Sequence, residues 1–492
     1  MTGLDLLAKT GSRGLFIGGQ WRDSATGARF EVHDPADESV ITDVADGDTT
    51  DAMAALDAAV AAAADWAATP PRERGEILRR SFEAIMDQAD DFAELISLEM
   101  GKTLAEAKGE VTYGAEFFRW FSEEAVRIHG RYMVNATGKG RVLTMRQPVG
   151  PCVFVTPWNF PMAMGTRKMG PAIAAGCTMV AKPAQLTPLS MLKLAEILAD
   201  CGLPDGVLNI VTSSSSSDVS KPILADDRLR KLSFTGSTEV GQKLIAQAAD
   251  KVLKVSMELG GNAPFLVFDD ADLDAVVEGA MIAKMRNIGE ACTSANRFHV
   301  ADSVADEFTE KLAEKMGALK LGRGTEDGVD VGPLVDNDQR EKVAELVTDA
   351  VDKGAKCLVG GQARDGAGYF YEPTVLGDVP DDARLLQEEI FGPVAPVRSF
   401  ESEEDAIAAA NNTEYGLVAY VLTRDVKRAL RVCEGLETGM IGLNQGMVSN
   451  AGAPFGGVKQ SGFGREGGPE GMEEYLETKY VALNLGAEPV NP

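Results

Sequence analysis

Short apolar runs rich in β-branched residues alternate with longer helical patterns along the chain from Gly150 onwards. The runs are CVFVT, TMVAK, VLNIV, KLSFT and KVSME, and helices are predicted between them over Ser190–Cys201 and Thr238–Ala249. Strands that alternate with helices of this length indicate βαβ units, in which a parallel sheet is covered on both faces. Because ligands bind at the carboxyl ends of the strands in such sheets, functional side chains are expected there.

A second series of the same kind begins near Ala263. It consists of the apolar run FLVF, a helix predicted over Leu273–Ile288, the run RFHVA and a helix predicted over Val304–Met316. Further along, KCLVGG and APVRSF suggest additional strands. The pattern therefore predicts a second α/β domain.

The part of the chain before these two series has a different pattern. Thr50–Val134 is mostly helical and amphipathic, whereas RYMVNATGKGRVLTMRQPVG is typical of a hairpin with TGKG at its turn. KYVALNL, near the end of the chain, is predicted to be another strand. Since the hairpin and this strand fall outside both α/β series, they are interpreted as an arm for contacts between subunits.

Length, charge and cysteine content restrict the classes of protein to which the chain can belong. At 492 residues it exceeds one ordinary core, so two or three subdomains are expected. A formal net charge of -27 argues against nucleic acid as a partner. No apolar stretch is long enough for a membrane span, and MTGLDLLAKTGSRGLF lacks the pattern of a secretory signal. Six scattered cysteines favour the reducing cytoplasm, and no metal site is predicted.

Two turns that follow predicted strands have the character of a dinucleotide site. In FTGSTEVG, Gly236 permits a sharp turn, and Ser237 can hydrogen-bond a phosphate at the start of the following helix. In MVAKPAQLTP, Lys182 stands at the end of a strand where dinucleotide sheets commonly place an acid, and neutral Gln185 follows it. The alternatives are an ordinary glycine turn and a surface lysine.

Two further strand ends carry side chains suited to catalysis. VTPWNFP brings Trp158 and Asn159 to the end of the first strand between stiffening prolines, where the Asn159 amide could donate to an oxyanion. VSMELGGNAPF places Glu258 beside apolar residues, which disfavours its ionised form and makes it a better base near neutral pH. Asn159 as a turn residue and Glu258 in a buried structural ion pair are the alternatives.

Cys292 is the cysteine with the most suitable surroundings for nucleophilic chemistry. It lies in NIGEACTSANRF, into which a helix is predicted to run, and a thiol at a helix boundary can be exposed and have a lowered pKa. Most isolated cysteines are instead inert small hydrophobes. A Cys–His hydrolase is disfavoured because the three histidines, His33, His129 and His299, occur in no recognisable hydrolase motif.

Seven motifs in the same order resemble the aldehyde dehydrogenase superfamily over nearly the full length of the chain. They are PWNFP, KPAQLTP, FTGSTEVG, MELGGNAP, GEACTSANR, EEIFGPV and APFGGVKQSGFGREGG. The resemblance implies an α/β fold with a Rossmann-type cofactor domain, an α/β catalytic domain and a small β oligomerisation arm. The ranges it implies are 1–130 and 150–257 for the NAD(P)-binding domain, 258–445 for the catalytic domain, and 131–149 with 475–492 for the arm.

The same resemblance assigns roles to the candidate residues and implies a small-molecule aldehyde as the substrate. Cys292 is the expected nucleophile, Glu258 the expected general base, and Asn159 the expected oxyanion donor, aided by the backbone N–H of Cys292. The positions that match cofactor contacts in the family are Thr156, Trp158, Lys182, Gln185, Gly236, Ser237, Leu259, Glu389 and Phe391.

Within the superfamily, WNFPMAMGTRKMGPAIAAGCT and KMRNIGEACTSANRF are most similar to succinate-semialdehyde dehydrogenases. In that branch two arginines and a serine hold the distal carboxylate of the substrate, and the matching positions are Arg167, Arg286 and Ser449. Guanidinium groups suit this role because they bind carboxylates in a planar, charge-assisted way. The alternatives are internal salt bridges for both arginines, and a dehydrogenase for another semialdehyde, such as glutarate semialdehyde, or for plain aliphatic aldehydes.

The cofactor favoured by these residues is NADP, with NAD as the alternative. Lys182 tolerates a 2′-phosphate, and neutral Gln185, Lys221 and the serines of SSSSSDVSKP suit such a phosphate at the adenosine end. The arm and the terminal strand favour a homodimer or a homotetramer. The resemblance further implies 4-aminobutyrate breakdown as the pathway. Ser294 stands where some relatives carry a second cysteine, so a disulfide switch at that position is not expected.

Overall fold

The computed structural model describes residues 13–484, so residues 1–12 of the predicted N-terminal segment and residues 485–492 of the predicted arm lie outside the described part. The strands are β1 Leu15–Ile17, β2 Gln20–Arg22, β3 Arg29–His33, β4 Val40–Ala45, β5 Arg131–Val134, β6 Arg141–Pro148, β7 Cys152–Val155, β8 Met179–Lys182, β9 Leu208–Ile210, β10 Lys231–Thr235, β11 Lys254–Glu258, β12 Ala263–Val267, β13 Ala295–Ala301, β14 Lys356–Val359, β15 Thr374–Gly377, β16 Val394–Phe400, β17 Val418–Leu422, β18 Met440–Leu443, β19 Gly462–Phe463 and β20 Leu476–Leu483.

Fourteen α-helices lie between these strands within residues 13–484. They are α1 Thr49–Ala68, α2 Pro71–Asp87, α3 Ala89–Met100, α4 Leu104–Glu124, α5 Ala163–Ala175, α6 Leu189–Asp200, α7 Ser216–Ala225, α8 Thr238–Ala249, α9 Leu273–Met285, α10 Asp302–Gly317, α11 Asn337–Asp352, α12 Glu403–Asn411, α13 Val426–Gly435 and α14 Gly468–Glu473. Short 3-10 turns occur at Ala125–Arg127, Arg286–Gly289, Arg384–Leu386 and Lys459–Ser461. None of the described helices is both long and apolar enough to cross a membrane.

The first predicted series forms an eight-stranded sheet in the order β19-β11-β10-β7-β8-β9-β1-β2 within the described residues. Strands β7 to β11 are the five predicted from the apolar runs, and they pair in parallel. The hairpin β1–β2 extends the sheet beside β9, and β19 closes the other edge beside β11, both antiparallel. These additions escaped prediction because each is at most three residues long. In addition, β1 and β19 join the sheet by pairing with strands distant in sequence.

Helices cover both faces of this sheet, as the prediction required. Cys152 and Phe154 of β7 belong to one apolar cluster with α2, α4, α5 and α6, whereas Val153 belongs to another with α1, α7 and α8. Since alternate side chains of a strand face opposite sides, both sides of β7 are buried, and its sequence is continuously apolar. The carboxyl ends of β7, β8, β10 and β11 therefore meet at one edge, where Lys182 and Glu258 stand.

The second predicted series forms a seven-stranded sheet in the order β14-β15-β16-β13-β12-β17-β18 within the described residues. The runs FLVF, RFHVA, KCLVGG and APVRSF correspond to β12, β13, β14 and β16, whereas β15, β17 and β18 were not predicted. All neighbouring strands pair in parallel except β14 and β15. The α/β fold class predicted from the sequence is confirmed.

The predicted hairpin and terminal strand form a separate three-stranded sheet in the order β20-β6-β5. Strand β20 pairs with β6 over its whole length, from Leu476 opposite Pro148 to Leu483 opposite Arg141. Exposed apolar side chains are concentrated on this sheet, namely Tyr132, Met133, Val134, Met145 and Tyr480. The hairpin and strand predictions are confirmed for residues 131–148 and 476–483.

Candidate active site

A cavity at the carboxyl edge of the first sheet, beside the second sheet, contains most of the side chains predicted to carry chemistry. Asn159 follows β7, Glu258 ends β11, and Cys292 precedes β13, so three separate elements supply the predicted catalytic groups. The other predicted residues that line the same cavity are Trp158, Arg167, Gly236, Ser237, Leu259, Arg286, Glu389, Phe391 and Ser449.

The chain reaches Cys292 through a tight left-handed turn. Helix α9 ends at Met285, and Asn287 and Ile288 have φ angles of 56° and 62°. Left-handed φ is uncommon for any residue other than glycine and rarest for a β-branched side chain such as that of Ile288. Because these angles cannot continue an α-helix, the predicted helix Leu273–Ile288 was wrong at its C-terminal end.

Contacts with two neighbouring loops hold this turn in place. The side-chain amide of Asn287 donates to the carbonyl oxygens of Asn159 and Glu290 at 3.0 and 2.9 Å. Gly289 lies so close to Gly392 that a Cβ atom at Gly289 would come within 2.3 Å of the Gly392 carbonyl oxygen. Only glycine permits such an approach of two backbones. The turn is therefore fixed against the loop after β7 and against the loop before β16.

Asn159, the predicted oxyanion donor, is oriented by a buried network of hydrogen bonds. Its Nδ2 donates to the Glu290 carbonyl at 2.9 Å, which leaves the second N–H of the amide for a ligand. Its own carbonyl accepts a bond of 2.7 Å from Lys102 Nζ, and Lys102 forms a fully buried ion pair with Glu110 at 2.6 Å. Glu110 in turn accepts from the backbone N–H of Met162 at 2.9 Å. The network fixes the amide relative to the loop that carries Cys292.

Replacing Lys102 with methionine is expected to destabilise the protein, because Glu110 would keep a buried carboxylate without its cation. Removing one partner of a buried ion pair typically costs about 3–5 kcal/mol. We expect a lower midpoint of thermal unfolding, measured by circular dichroism. The control is the double variant Lys102→Met/Glu110→Leu, which removes both charges and should recover part of the loss; a double variant no more stable than the single one contradicts this explanation.

Burial controls the protonation of Cys292. It raises the pKa of the thiol to about 12, with a lowering contribution from Arg167 and raising contributions from Glu389 and Glu258. The expectation of a lowered pKa was therefore wrong, because burial of this half-buried thiol outweighs the lowering by nearby arginines. A thiol with this pKa is protonated near neutral pH, so its attack on a carbonyl requires a base.

Glu258, the predicted base, is buried beside Gly456. Burial raises the pKa of its carboxyl well above the ordinary value, the negative charge of Glu466 raises it further, and Arg167 lowers it. Oε2 has no hydrogen-bond partner among the described residues, and a Cβ atom at Gly456 would come within 2.9 Å of Oε1. A carboxyl group with a free oxygen and a raised pKa therefore lines the same cavity as Cys292, as a general base requires.

The two arginines of the predicted carboxylate clamp differ in their partners. Arg167 forms a buried ion pair with Glu466, in which Nη2 lies 2.7 Å from Oε2. Glu466 also pairs with Lys168 at 2.6 Å. The Arg167 guanidinium lies over the Phe455 ring, 3.9 Å from its centre. The predicted alternative of an internal salt bridge therefore holds for Arg167, although this side chain still lines the cavity.

Arg286, in contrast, has no ion-pair partner within the part of the chain that the structure describes. Its Nη1 donates to Ser449 Oγ at 3.0 Å. The guanidinium lies over the rings of Phe160 and Tyr113, at 5.0 and 5.6 Å from their centres. One end of the cavity therefore presents a guanidinium that forms no direct ion pair among the described residues, together with a hydroxyl group. A charge contribution comes from Glu106, whose carboxyl pKa is raised by burial and lowered by Arg286 without an ion pair between them.

Another part of the cavity has the features of a dinucleotide site. The rings of Trp158 and Phe391 meet edge to face at 5.3 Å, and Glu389 is oriented by the backbone N–H of Gly261 at 2.9 Å. Ser237 is the N-cap of α8, and its side chain makes no bond to the helix backbone, so the first N–H groups remain available to a phosphate. An aromatic pair, an oriented carboxylate and an uncapped helix N-terminus fit a nicotinamide dinucleotide.

Three of the predicted cofactor residues, Thr156, Lys182 and Gln185, do not line this cavity. The backbone N–H of Thr156 donates to the Lys182 carbonyl at 3.2 Å, so these two residues are neighbours at the strand ends. Burial lowers the pKa of Lys182 to about 8, while Asp46 raises it. Gln185 is exposed and lines a separate cavity beside Glu99. The structure therefore brings Lys182 to the sheet edge but leaves Gln185 away from the other predicted cofactor residues.

The serines that follow β9 are engaged by an acidic side chain. Asp46 accepts hydrogen bonds from the backbone N–H and the hydroxyl of Ser214 at 2.8 and 2.6 Å, and from the hydroxyl of Ser213 at 3.4 Å. These two hydroxyl groups therefore bind a carboxylate of the chain itself, although a phosphate was their expected partner.

Sequence reasoning did not single out Tyr113, Phe160 and Phe455, which line the cavity and contact the two arginines. Phe160 and Phe455 stand inside the motifs PWNFP and APFGG, so their position beside other candidate residues was an available signal. Tyr113 lies in α4, far from every motif, and no pattern in the sequence marked it. Its place in the cavity depends on the packing of α4 against α5.

Comparisons with known proteins agree with this arrangement. The sequence model of the aldehyde dehydrogenase family matches residues 21–481. The chain is 60% identical to the succinate-semialdehyde dehydrogenase of Paenarthrobacter nicotinovorans over 90% of this chain and 99% of that protein. It is 49% identical to the glutarate-semialdehyde dehydrogenase of Pseudomonas putida over 96% and 97% of the two chains.

A solved structure gives the same result for the fold. The crystal structure of an NADP-dependent enzyme of E. coli superposes with a TM-score of 0.96 at 48% identity, and the match covers 97% of this chain and 99% of that chain. Together with the family match, this similarity leads to one conclusion. The chain belongs to the aldehyde dehydrogenase family.

Proposed function

We propose that the protein oxidises succinate semialdehyde to succinate, with NADP as the hydride acceptor. One observation carries the choice of substrate: the Arg286 guanidinium, bonded to Ser449 and without a carboxylate partner among the described residues, shares a cavity with Cys292. A substrate with an aldehyde at one end and a carboxylate at the other fits both groups. The similarity to the Paenarthrobacter nicotinovorans enzyme supports the same choice.

The first half of the reaction forms a bond between Cys292 and the aldehyde carbon. Glu258 takes the proton of the thiol, because its raised pKa makes it a stronger base than an ordinary carboxylate. Negative charge then develops on the former carbonyl oxygen of the thiohemiacetal, and the free N–H of the Asn159 amide stabilises it. Trp158 and Phe391 would hold a nicotinamide, which when bound would accept the hydride that leaves the thiohemiacetal carbon as the thioester forms.

The second half of the reaction hydrolyses the thioester left on Cys292. Glu258 first releases the proton that it took from the thiol to solvent, and it then removes a proton from the attacking water. The Asn159 amide again stabilises the oxyanion, and as the C–S bond breaks succinate forms and the departing Cys292 thiolate takes up a proton. A base in this position favours water over coenzyme A as the acyl acceptor. The product carboxylate next to Arg286 is released with the rest of the molecule.

Glutarate semialdehyde, which is one carbon longer, is the second candidate substrate. It has the same two functional groups, and the Pseudomonas putida relative is named for it. A further cavity lies on the other side of Arg286, lined among others by Ile282 and Met447. This space would let the arginine side chain move back to accommodate the longer chain.

Replacing Arg286 with alanine is expected to reduce kcat/KM for succinate semialdehyde by about a hundredfold to a thousandfold, because truncating one partner of a buried charge pair costs about 2–5 kcal/mol. The loss should appear mainly in KM. Kinetics follow the absorbance of reduced cofactor, with succinate semialdehyde, glutarate semialdehyde and butanal in parallel. Butanal lacks the distal carboxylate, so its kcat/KM should change little.

Two controls make this test specific. Arg286→Lys keeps the charge but loses the planar donor pair, and it should fall between the wild type and Arg286→Ala. The wild type should prefer one of the two semialdehydes to butanal. Equal losses on succinate semialdehyde and butanal would show that Arg286 acts on the fold or on catalysis in general and not on the substrate carboxylate.

The preference for NADP over NAD is tested in the same assay by running the two cofactors in parallel. Lys182, whose ammonium makes no hydrogen bond to the described residues, supports NADP because it can bind ribose hydroxyls and a 2′-phosphate. The similarity to the NADP-dependent E. coli enzyme supports it as well. Asp46 favours NAD instead, because its carboxylate would repel a 2′-phosphate bound close to Lys182.

The proposed assembly is a homodimer or a homotetramer, built through the arm of strands β5, β6 and β20. Its exposed apolar side chains, among them Tyr132 and Tyr480, favour contact with another subunit. Residues 1–130 and 150–257 are proposed as the NAD(P)-binding domain and residues 258–445 as the catalytic domain, in agreement with the strands of the two large sheets.

A further inference from the structure

Tyr113 carries a hydroxyl group that the fold does not use. The residue lies on α4 and lines the Cys292 cavity together with Arg286 and Ser449. It also lines the adjoining cavity on the other side of Arg286. Its Oη atom is buried and has no hydrogen-bond partner among the described residues.

The contacts of the Tyr113 side chain involve its ring and leave the hydroxyl unexplained. The ring meets Phe117 edge to face at 5.0 Å and lies under the Arg286 guanidinium at 5.6 Å. A phenylalanine would make both contacts equally well. Buried polar atoms are nearly always hydrogen-bonded, and an unpartnered one is unfavourable. An unpartnered hydroxyl in a ligand cavity therefore points to a bond made with the ligand.

The surroundings of this hydroxyl select an anionic partner. Arg286 supplies a guanidinium without a direct ion pair among the described residues, and Ser449 accepts a bond from it through Oγ, so the Ser449 hydroxyl can donate its own hydrogen elsewhere. A carboxylate accepts about four hydrogen bonds through its two oxygens. Arg286 and Ser449 leave part of that capacity unused, and a phenol hydroxyl from a third element can fill it.

We infer that Tyr113 determines specificity by donating a hydrogen bond from Oη to the distal carboxylate of the semialdehyde, beside Arg286 and Ser449. The inference rests on the proposed function, since it concerns the same end of the same substrate. The bond is charge-assisted and forms only with substrates that carry an anionic end. Tyr113 touches neither the aldehyde carbon nor Cys292 in this arrangement, so it acts on binding.

The test is the Tyr113→Phe variant, which removes one oxygen atom and keeps the ring contacts. Losing a hydrogen bond to a charged group corresponds to about a tenfold to hundredfold loss. We expect kcat/KM for succinate semialdehyde to fall by that factor through KM, while kcat stays within about threefold. The values for butanal should be unchanged. Competitive inhibition by succinate should weaken by the same factor as the substrate.

Tyr371→Phe is the matched control. Tyr371 is also buried with an unpartnered hydroxyl, but it lies outside the Cys292 cavity. The same chemical change there should leave the kinetics on both substrates unaltered. The midpoint of thermal unfolding should not fall in Tyr113→Phe either, because the lost hydroxyl has no partner in the protein.

The outcomes separate this inference from the proposed function. If the wild type does not prefer a semialdehyde to butanal, the proposed function fails and the inference fails with it. If the wild type shows the preference and Tyr113→Phe matches the wild type on all substrates, the inference alone is overturned. Equal losses on succinate semialdehyde and butanal, or a lower midpoint of unfolding, would also overturn it, since they assign the hydroxyl a structural role.

Discussion

Replacing Cys292 with alanine is expected to reduce the oxidation of succinate semialdehyde by about five to six orders of magnitude, to the background without enzyme. The proposed reaction runs through a bond to this sulfur, and the described residues place no second thiol in the cavity. Cys292→Ser should be nearly as inactive, because a hydroxyl group is a poorer nucleophile than a thiol and is harder to deprotonate in the same surroundings. Steady-state release of reduced cofactor measures the loss.

Two controls distinguish a lost nucleophile from a lost fold. Binding of reduced cofactor, followed by fluorescence, should be retained in Cys292→Ala, because the dinucleotide site is formed by other residues. Cys201→Ala, a change at a cysteine at the end of α6, should keep full activity. Residual activity of Cys292→Ala above about one per cent of the wild type, far more than is expected after loss of a nucleophile, would contradict covalent catalysis at this position.

Replacing Glu258 with glutamine is expected to slow turnover by about a hundredfold to ten thousandfold, the usual contribution of a general base. Glutamine has nearly the same shape and cannot accept a proton. Because Glu258 acts in both halves of the reaction, Glu258→Gln should slow thioester formation as well as thioester hydrolysis. If hydrolysis is slowed more, acyl enzyme should accumulate, and a slowed burst of reduced cofactor should precede a still slower steady state. Rapid mixing measures the burst, and mass spectrometry of the quenched protein measures the acyl group on Cys292.

The same variant should change the pH profile in a defined direction. A base acts in its ionised form, and burial raises the pKa of Glu258, so wild-type activity should rise with pH through that raised value and be lost below it. The raised pKa of the Cys292 thiol also makes the activity rise with pH, because the thiol must lose its proton to attack. In Glu258→Gln, deacylation should lose its dependence on a carboxyl group. A deacylation profile identical to that of the wild type would assign the base to another residue.

Much of the fold was predictable, because burial on both faces gives strands a continuous apolar sequence. Strand β7 is of this kind, and strands β8 to β11, which include polar residues such as Asn209, Ser233 and Ser256, were still predicted from short runs rich in apolar residues. Edge strands carry a weaker signal: β2 has the exposed sequence QWR, and β19 contains only two residues. The pairing of β19 with β11 depends on a tertiary contact, which local patterns do not contain.

The candidate site was predictable to the extent that its residues stand at strand ends or in motifs. Asn159, Glu258 and Cys292 were expected to meet, and they line one cavity. The protonation of Cys292 was not predictable, since it depends on burial by residues from distant parts of the chain. The sequence also could not predict that Arg167 forms an ion pair and Arg286 does not, because Glu466 is brought next to Arg167 only when the chain folds.

The left-handed turn at Asn287 and Ile288 joins Arg286, the proposed carboxylate-binding residue, to Cys292, the proposed nucleophile, through one short segment held by neighbouring loops. The turn therefore fixes the spacing between Arg286 and Cys292, which are proposed to bind the two ends of the substrate. The close approach of Gly289 to Gly392 holds the turn against the loop that carries Phe391. Substitutions within the turn would disturb substrate, nucleophile and cofactor together. Tyr113 and Ser449 belong to other elements, so substitutions there can change the preferred length of the aldehyde without moving Cys292. The substrate preference can therefore evolve while the catalytic residues stay the same.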